Sequence, residues 1–142
     1  MSRFPNCAAS RFVRRSSSRD LARVVAWLDA RPAESVWTTA ITVFEIRTGI
    51  DLLDAGRRRR ELDAAFARLL ADDLEGRVQN FDQRAALAAG AIAARRQTAG
   101  RTVEIRDTLI AGIVLARRAT LATANTRHFD DIQVELVNPW IA

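Results

Sequence analysis

The chain has one cysteine, one histidine and no lysine, and it lacks any long uninterrupted apolar run. A membrane-spanning helix needs about 18 consecutive apolar residues or more, and a secretory signal peptide needs a shorter apolar run near the N-terminus. Neither is found in this sequence. The single cysteine, Cys7, cannot form an internal disulfide, which fits a reducing compartment. We therefore expect a cytoplasmic protein that does not associate with membranes.

Acidic residues are missing from the first 19 positions, which carry five arginines. The rest of the chain has as many arginines as acidic residues, so the net charge of +5 belongs to this segment. A transit peptide, a nucleic-acid-binding arm and a solvated tail all fit that composition. The segment shows no helical or strand periodicity. We expect residues 1–20 to be a poorly ordered basic segment without a central strand, and residues 21–142 to form one domain.

Beyond Asp20, segments with helical spacing alternate with short β-rich runs. The predicted strands are 35–39, 77–81, 119–123 and 133–137, and the predicted helices lie around 21–28, 41–53, 57–70, 82–100 and 107–118. Strands that alternate with helices are typical of βαβ units. The pattern therefore predicts an α/β sandwich with a mostly parallel sheet.

Three oxygen-bearing side chains stand close to the ends of these predicted elements. Glu45 lies about one turn after the strand 35–39, Asp107 opens a helix, and Asn125 follows the strand 119–123. Ligands of open parallel sheets collect beyond the carboxyl ends of the strands. Oxygen ligands that converge from separate elements are what a Mg²⁺ or Mn²⁺ site is built from. The three side chains are therefore candidate metal ligands.

Each of these residues also has a purely structural interpretation. Glu45 fits a capping box with Thr42, and Asp107 in a first helical turn is stabilised by the helix macrodipole. Asn125 is a favoured turn residue because its amide can bond nearby backbone groups. The single histidine, His128, is interpreted as a solvated turn residue in preference to a catalytic base. Spacing alone does not decide between these interpretations.

Five segments, taken in chain order, carry a resemblance to a known family. They are 39–50 (TAITVFEIRTGI), 54–59 (DAGRRR), 106–111 (RDTLIA), 121–129 (LATANTRHF) and 134–140 (VELVNPW). Together they resemble a VapC-type toxin of the PIN-domain ribonucleases, from about Leu21 to the C-terminus. The resemblance implies a PIN-like three-layer α/β/α sandwich. It also implies a Mg²⁺-dependent endoribonuclease toxin of a type II toxin–antitoxin system, with Mn²⁺ as an alternative metal, RNA as substrate, a VapB-type antitoxin as partner, and a homodimer.

The family's acidic pocket uses an early Asp within a hydrophobic-Asp-Thr-Asn motif, a Glu after the second strand, an Asp opening a later helix and often a fourth Asp. By this resemblance Glu45 and Asp107 are the catalytic residues and metal ligands, and Asn125 stands at the fourth position as a further ligand. The early Asp is missing, because no acidic residue precedes Asp20. Its aligned position falls near Ala8.

The missing carboxylates have a physical consequence for metal binding. A carboxylate about 4 Å from a cation contributes up to about 4 kcal/mol per unit charge at an effective dielectric constant of about 20. With the early Asp absent and Asn125 neutral, the site should bind metal weakly. Two functions stay open: a metal-dependent endoribonuclease, either fully active or impaired, and a catalytically inactive remnant that retains the antitoxin-binding surface. A frameshift over residues 1–20 would account for the missing motif, and the nucleotide sequence would reveal it.

Overall fold

The computed structural model describes Asn6, Cys7, Arg23 and residues 26–102 and 104–141. Apart from Asn6 and Cys7, the segment 1–20 that we expect to be poorly ordered lies outside the described residues. The principal helices are α1 (Ala40–Asp51), α2 (Arg57–Arg68), α3 (Gln83–Thr98) and α4 (Ile105–Ala116). The strands are β1 (Asn6–Cys7), β2 (Thr38–Thr39), β3 (Val78–Gln79), β4 (Leu121–Ala122) and β5 (Leu136–Val137).

Every strand pair in the described part of the chain is parallel. β4 pairs with β1 on one side and with β5 on the other, and β2 pairs with β3. β1 also lies beside β2, so the two sheets meet at β1. Because the strands are parallel, their carboxyl ends share one edge. The mostly parallel α/β arrangement predicted from the alternation of elements is confirmed.

The basic N-terminal segment, for which the sequence predicts no central strand, contributes a short strand at Asn6 and Cys7 at the end of the three-stranded sheet β1-β4-β5. These residues form β1 and pair in register with Leu121 and Ala122. A parallel ladder is built from backbone N–H and C=O groups, and a strand of two residues is too short to show an alternating pattern. Pro5 comes before this strand in the sequence, and proline is tolerated at the beginning of a strand.

Helix α1 begins three residues earlier than a capping box of Thr42 and Glu45 would require. Thr39 is the N-cap, and its Oγ1 accepts a hydrogen bond from the backbone N of Thr42 at 3.0 Å. Glu45 therefore lies in the second turn, and its interpretation as a capping-box residue is wrong. It belongs to a buried stripe along α1 that also contains Thr42, Ile46 and Ile50, so its side chain is on the inner face of the helix.

The main core lies where α3 and α4 pack together against β4. A Cβ atom added at Gly112 of α4 would fall 2.5 Å from the carbonyl oxygen of Ala85 and 2.6 Å from the Cβ of Ala89, both on α3. Only glycine permits this approach of the two backbones. The buried side chains of this core are Ile92, Ile110, Ala111, Val114, Ala119, Leu121, Phe129 and Ile132. The packing fixes the helices and the strand from which the candidate site is built.

Candidate functional site

Asp107 is the third residue of α4 and is bonded to His128. Glu104 caps the helix, because its carboxylate accepts from the backbone N of Arg106 at 3.2 Å. The Oδ2 of Asp107 lies 2.5 Å from the Nδ1 of His128, and because an ionised carboxylate can only accept, the ring N–H donates. The Asp107 side chain is 13% exposed and that of His128 is 37% exposed. The interpretation of His128 as a merely solvated turn residue is therefore wrong, since its ring is held by Asp107.

The loop after β4 contains a short 3₁₀ turn, Thr126–His128, with Asn125 as its N-cap. The backbone N of Asn125 donates to Oγ1 of Thr123 at 3.1 Å. The carbonyl oxygen of Asn125 accepts from the backbone N of His128 at 3.0 Å. The backbone of Asn125 thus has the turn role that the sequence left open, and a metal-binding role for its side chain stays a prediction.

Arg96, near the end of α3, attaches this loop to the helices. Its side chain is only 3% exposed, and its Nε and Nη2 each lie 2.7 Å from an oxygen of Asp131. Nη2 also donates to the carbonyl oxygen of His128 at 2.6 Å, and Nη1 donates to Oγ1 of Thr108 at 3.1 Å. The hydrogen bonds with Asp131 raise the pKa of Arg96, and those bonds lower the pKa of Asp131. The pair is therefore ionised at neutral pH.

A second arginine holds the same loop from its outer side. Nη1 of Arg101 lies 2.8 Å from Oδ1 of Asp130, and Nη2 donates to the carbonyl oxygen of Arg127 at 2.6 Å. The Arg101 side chain is 35% exposed, whereas that of Arg96 is almost fully buried. The two arginines therefore bond the same loop, Arg96 from the interior of the protein and Arg101 from its surface.

Glu45 approaches this region from α1. Its side chain is 8% exposed and its Oε1 is buried. Helix α1 follows β2 directly, so it begins at the carboxyl end of that strand, and it packs against α4. The bond between Asp107 and His128 joins the start of α4 to the loop that carries Asn125. That Glu45 shares one cation with these residues stays a prediction.

The donor atoms of this region are of the kind that binds Mg²⁺ or Mn²⁺. Within the part of the chain that the structure describes, no three His, Cys, Asp or Glu side chains form a group that could hold a metal ion. Mg²⁺ is commonly bound by one or two carboxylates, while water and substrate phosphates complete its shell. Glu45 and Asp107, with the amide oxygen of Asn125, fit such a site in chemical type but supply fewer charges than the resemblance implies.

Sequence reasoning missed Arg96 and Asp131, although one signal for Arg96 was present. Along α3 the buried positions are Ala85, Ala89, Ile92 and Arg96, a spacing typical of the core-facing stripe of a helix. An arginine at such a position is seldom buried unless it is paired. The stripe therefore indicated a buried ion pair, but nothing in the sequence identified Asp131, 35 positions away, as its partner.

Comparisons with known proteins agree on one family. A family model described as PIN domain matches residues 7–135. The plasmid stability protein StbB of Pseudomonas syringae pv. tomato is 36% identical over 121 residues, which cover 85% of this chain and 87% of the relative. The VapC ribonuclease Y4jK of Sinorhizobium fredii is 32% identical over 82% of this chain and 84% of its own length. Toxin FitB of Neisseria gonorrhoeae is 34% identical over 83% of this chain and 85% of its own length.

Solved structures show the same fold. The structure of FitAB bound to an IR36 DNA fragment superimposes with a TM-score of 0.78 at 31% identity, covering 93% of this chain and 90% of that chain. VapBC-1 from nontypeable Haemophilus influenzae has a TM-score of 0.74 at 20% identity over 98% of both chains, which bears on the fold alone. The PIN-like α/β fold expected from the resemblance is thereby confirmed. None of the helices in the described regions has the length and apolarity needed to cross a membrane.

Proposed function

The chain belongs to the PIN-domain family, and from that membership we propose that it is a metal-dependent endoribonuclease, the toxin of a type II toxin–antitoxin system. Relatives named VapC ribonuclease and toxin FitB support this proposal. The structural observation that carries it is the carboxylate of Asp107, held by His128 where α4 opens, beside the loop that contains Asn125. RNA is the proposed substrate.

In this proposal Glu45 and Asp107 hold a Mg²⁺ ion, with Asn125 as a further ligand and Mn²⁺ as an alternative metal. A divalent cation supplies a nucleophilic water at neutral pH and offsets the charge that develops on the phosphate. The contribution of the chain is orientation. The ring of His128 fixes the carboxylate of Asp107, and the packing of α1 restricts the buried side chain of Glu45. Carboxylates held in place in a partly dry site interact with a cation more strongly than carboxylates in water.

We propose further that this activity is lower than that of a family member with all its acidic residues. No acidic residue precedes Asp20, and the neutral Asn125 stands where the family often has an Asp. Each missing carboxylate removes attraction for the cation, up to about 4 kcal/mol at a separation of about 4 Å. The alternative to an impaired enzyme is a catalytically inactive remnant that retains the antitoxin-binding surface.

The test compares RNA cleavage by three proteins in Mg²⁺ and in EDTA. They are the chain itself, a version with the family's first strand grafted over residues 1–19, and that graft carrying Asp107→Ala. We expect the graft to cleave at least about tenfold faster than the chain, which corresponds to about 1.4 kcal/mol in the barrier. EDTA and Asp107→Ala should both stop cleavage by the graft. If the unmodified chain cleaves RNA as fast as the graft, the proposed impairment is wrong. If the graft carrying Asp107→Ala cleaves as fast as the graft itself, the proposed site is wrong.

The groove between α1 and α2 is the surface that we propose for a VapB-type antitoxin. It encloses about 430 Å³ and is lined by Ala40, Val43, Phe44, Arg47, Asp63, Phe66, Ala67 and Leu70. The Phe44 side chain is 58% exposed at this groove, whereas Phe66 is buried. An exposed aromatic ring beside an apolar groove is typical of a surface that binds the apolar face of a partner. The FitAB and VapBC assemblies among the structural relatives support a partner of this kind.

Calorimetry of Phe44→Asp with the VapB-type antitoxin tests this surface. The charged side chain would have to be buried next to apolar groups, so we expect the affinity to fall at least about tenfold, or about 1.4 kcal/mol. Ile141→Asp is the matched control, because Ile141 is 77% exposed and lies outside the groove. Equal affinities of the two variants would contradict the assignment. The homodimer that the resemblance implies is measured by light scattering on the isolated chain.

A further inference from the structure

We infer that Arg96 is a positioning residue of the candidate site, which holds the ring of His128 on the carboxylate of Asp107. One guanidinium bonds the first turn of α4, through Thr108, and the loop after β4, through the carbonyl of His128. It thereby sets the separation of the two segments that meet in the Asp107–His128 bond. The effect on RNA cleavage rests on the proposed function, while the positioning itself rests on the geometry alone.

The contacts form a closed ring. Thr108 directly follows Asp107 in α4, and the carbonyl bonded by Arg96 belongs to the same residue whose ring bonds Asp107. The path from Arg96 through Thr108 and Asp107 to His128 therefore returns to Arg96. Asp131 fixes the guanidinium plane with two bonds of 2.7 Å. A lysine could not replace Arg96, because an ammonium group lacks the planar fork that reaches several fixed acceptors at once.

A purely stabilising role accounts poorly for this arrangement. Replacing a buried ion pair by apolar side chains of similar size is often neutral or stabilising, because desolvation of the charges offsets their attraction. An apolar pair would fill the same space beside Ile92 but would not bond Thr108 or the carbonyl of His128. Arg96 therefore supplies directed hydrogen bonds to Thr108 and to the carbonyl of His128, which an apolar side chain cannot form.

Arg101 provides a matched control on the same loop. Its hydrogen bonds go to Asp130 and to the carbonyl of Arg127, on the outer side of the loop, with Asp131 3.7 Å away. Replacing Arg101 and Asp130 removes an arginine–aspartate pair from the loop and leaves the bonds of Arg96 to Thr108 and His128 in place. A general loosening of the loop would appear in this control as well.

The experiment uses nuclear magnetic resonance of the full chain labelled with ¹⁵N-histidine. His128 is the single histidine, so its ring N–H gives one signal, which a short hydrogen bond moves downfield and protects from exchange with water. The test variant is Arg96→Met with Asp131→Leu, which leaves neither charge buried alone. The control is Arg101→Met with Asp130→Leu. We expect the protected signal in the unmodified chain and the control, and its loss in the test variant.

Circular dichroism tests whether both variants fold. If Arg96→Met with Asp131→Leu does not fold, Arg96→Lys keeps the charge without the fork and should also lose the signal. A protected signal that persists in a folded variant, or is absent from the unmodified chain, would overturn the inference. So would its loss in the control.

Binding of Mn²⁺, followed by electron paramagnetic resonance, connects the positioning to the proposed function. We expect the test variant to bind Mn²⁺ about 10- to 100-fold more weakly, the usual effect of removing a group that orients a metal ligand. The control should stay within about twofold of the unmodified chain, as for a surface change. An unmodified chain that neither binds Mn²⁺ nor cleaves RNA, yet loses the histidine signal with Arg96, would refute the proposed function and support the positioning role.

Discussion

Replacing Gly112 by alanine should destabilise the packing of α3 against α4. The added Cβ would fall 2.5 Å from the carbonyl oxygen of Ala85, and 2.6 Å and 2.9 Å from the Cβ and backbone N of Ala89. The obstacles are backbone atoms and a Cβ, which cannot rotate away, so the helices would have to separate. Because these helices carry Arg96 and Asp107, the separation would also disturb the candidate site.

Two opposing effects set the size of the change. In an unobstructed helix, alanine in place of glycine stabilises by about 0.8 to 1 kcal/mol. Forcing an extra methyl group into a tightly packed core typically costs about 1 to 3 kcal/mol. Three contacts shorter than the optimal separation of about 3.5 to 4.0 Å place Gly112→Ala at the upper end of that cost. The net expectation is a loss of about 1 to 2 kcal/mol in the free energy of unfolding.

Urea denaturation followed by circular dichroism measures this change. Gly90→Ala on α3 is the matched control, because nothing lies within 4 Å of a Cβ added there. That control should stabilise the protein by about 0.5 to 1 kcal/mol, the helix propensity gain. A Gly112→Ala variant as stable as the unmodified chain, or more stable, would refute the close approach of the two helices.

Substitutions at Thr39 and Asp131 should also change the stability of the protein. Thr39→Ala should lower the free energy of unfolding by about 1 to 2 kcal/mol in urea denaturation, because it removes a buried N-cap bond to Thr42, and an unchanged midpoint would contradict this. Since Arg96 lowers the pKa of Asp131 in the folded state, the stability from that pair is present above the unfolded pKa of about 3.9 and is lost as the pH falls through the lower folded value. The stability difference between the unmodified chain and Asp131→Asn should therefore shrink on acidification, and a pH-independent difference would refute the pairing.

Helices were predictable from the sequence because their signals are local. The expected helix over 82–100 is observed as Gln83–Thr98, with Asp82 as its N-cap. Strands were predicted in the right places but too long: the run 119–123 is a strand only at Leu121 and Ala122. The extent of a strand depends on where its neighbours pair, which a single segment does not encode.

The candidate site was predictable only in part, for a similar reason. Glu45 and Asp107 stand within segments that resemble the family, so their elements could be identified before the fold was known. The contacts of Arg96 with His128 and Asp131 join positions 32 and 35 residues apart, and such pairing depends on the loop's course after β4. The position of β1 was missed because its ladder uses backbone groups, which carry no side-chain signal.

The proposed function depends on Glu45 and Asp107 sharing one divalent cation. Anomalous X-ray scattering from a crystal of the protein soaked in manganese chloride tests it most directly. We expect one Mn²⁺ ion coordinated by both carboxylates, with Asn125 in its ligand shell and water in the remaining positions. Carboxylates too far apart to share one cation and its water shell, or an ion bound elsewhere with neither of them, would contradict it.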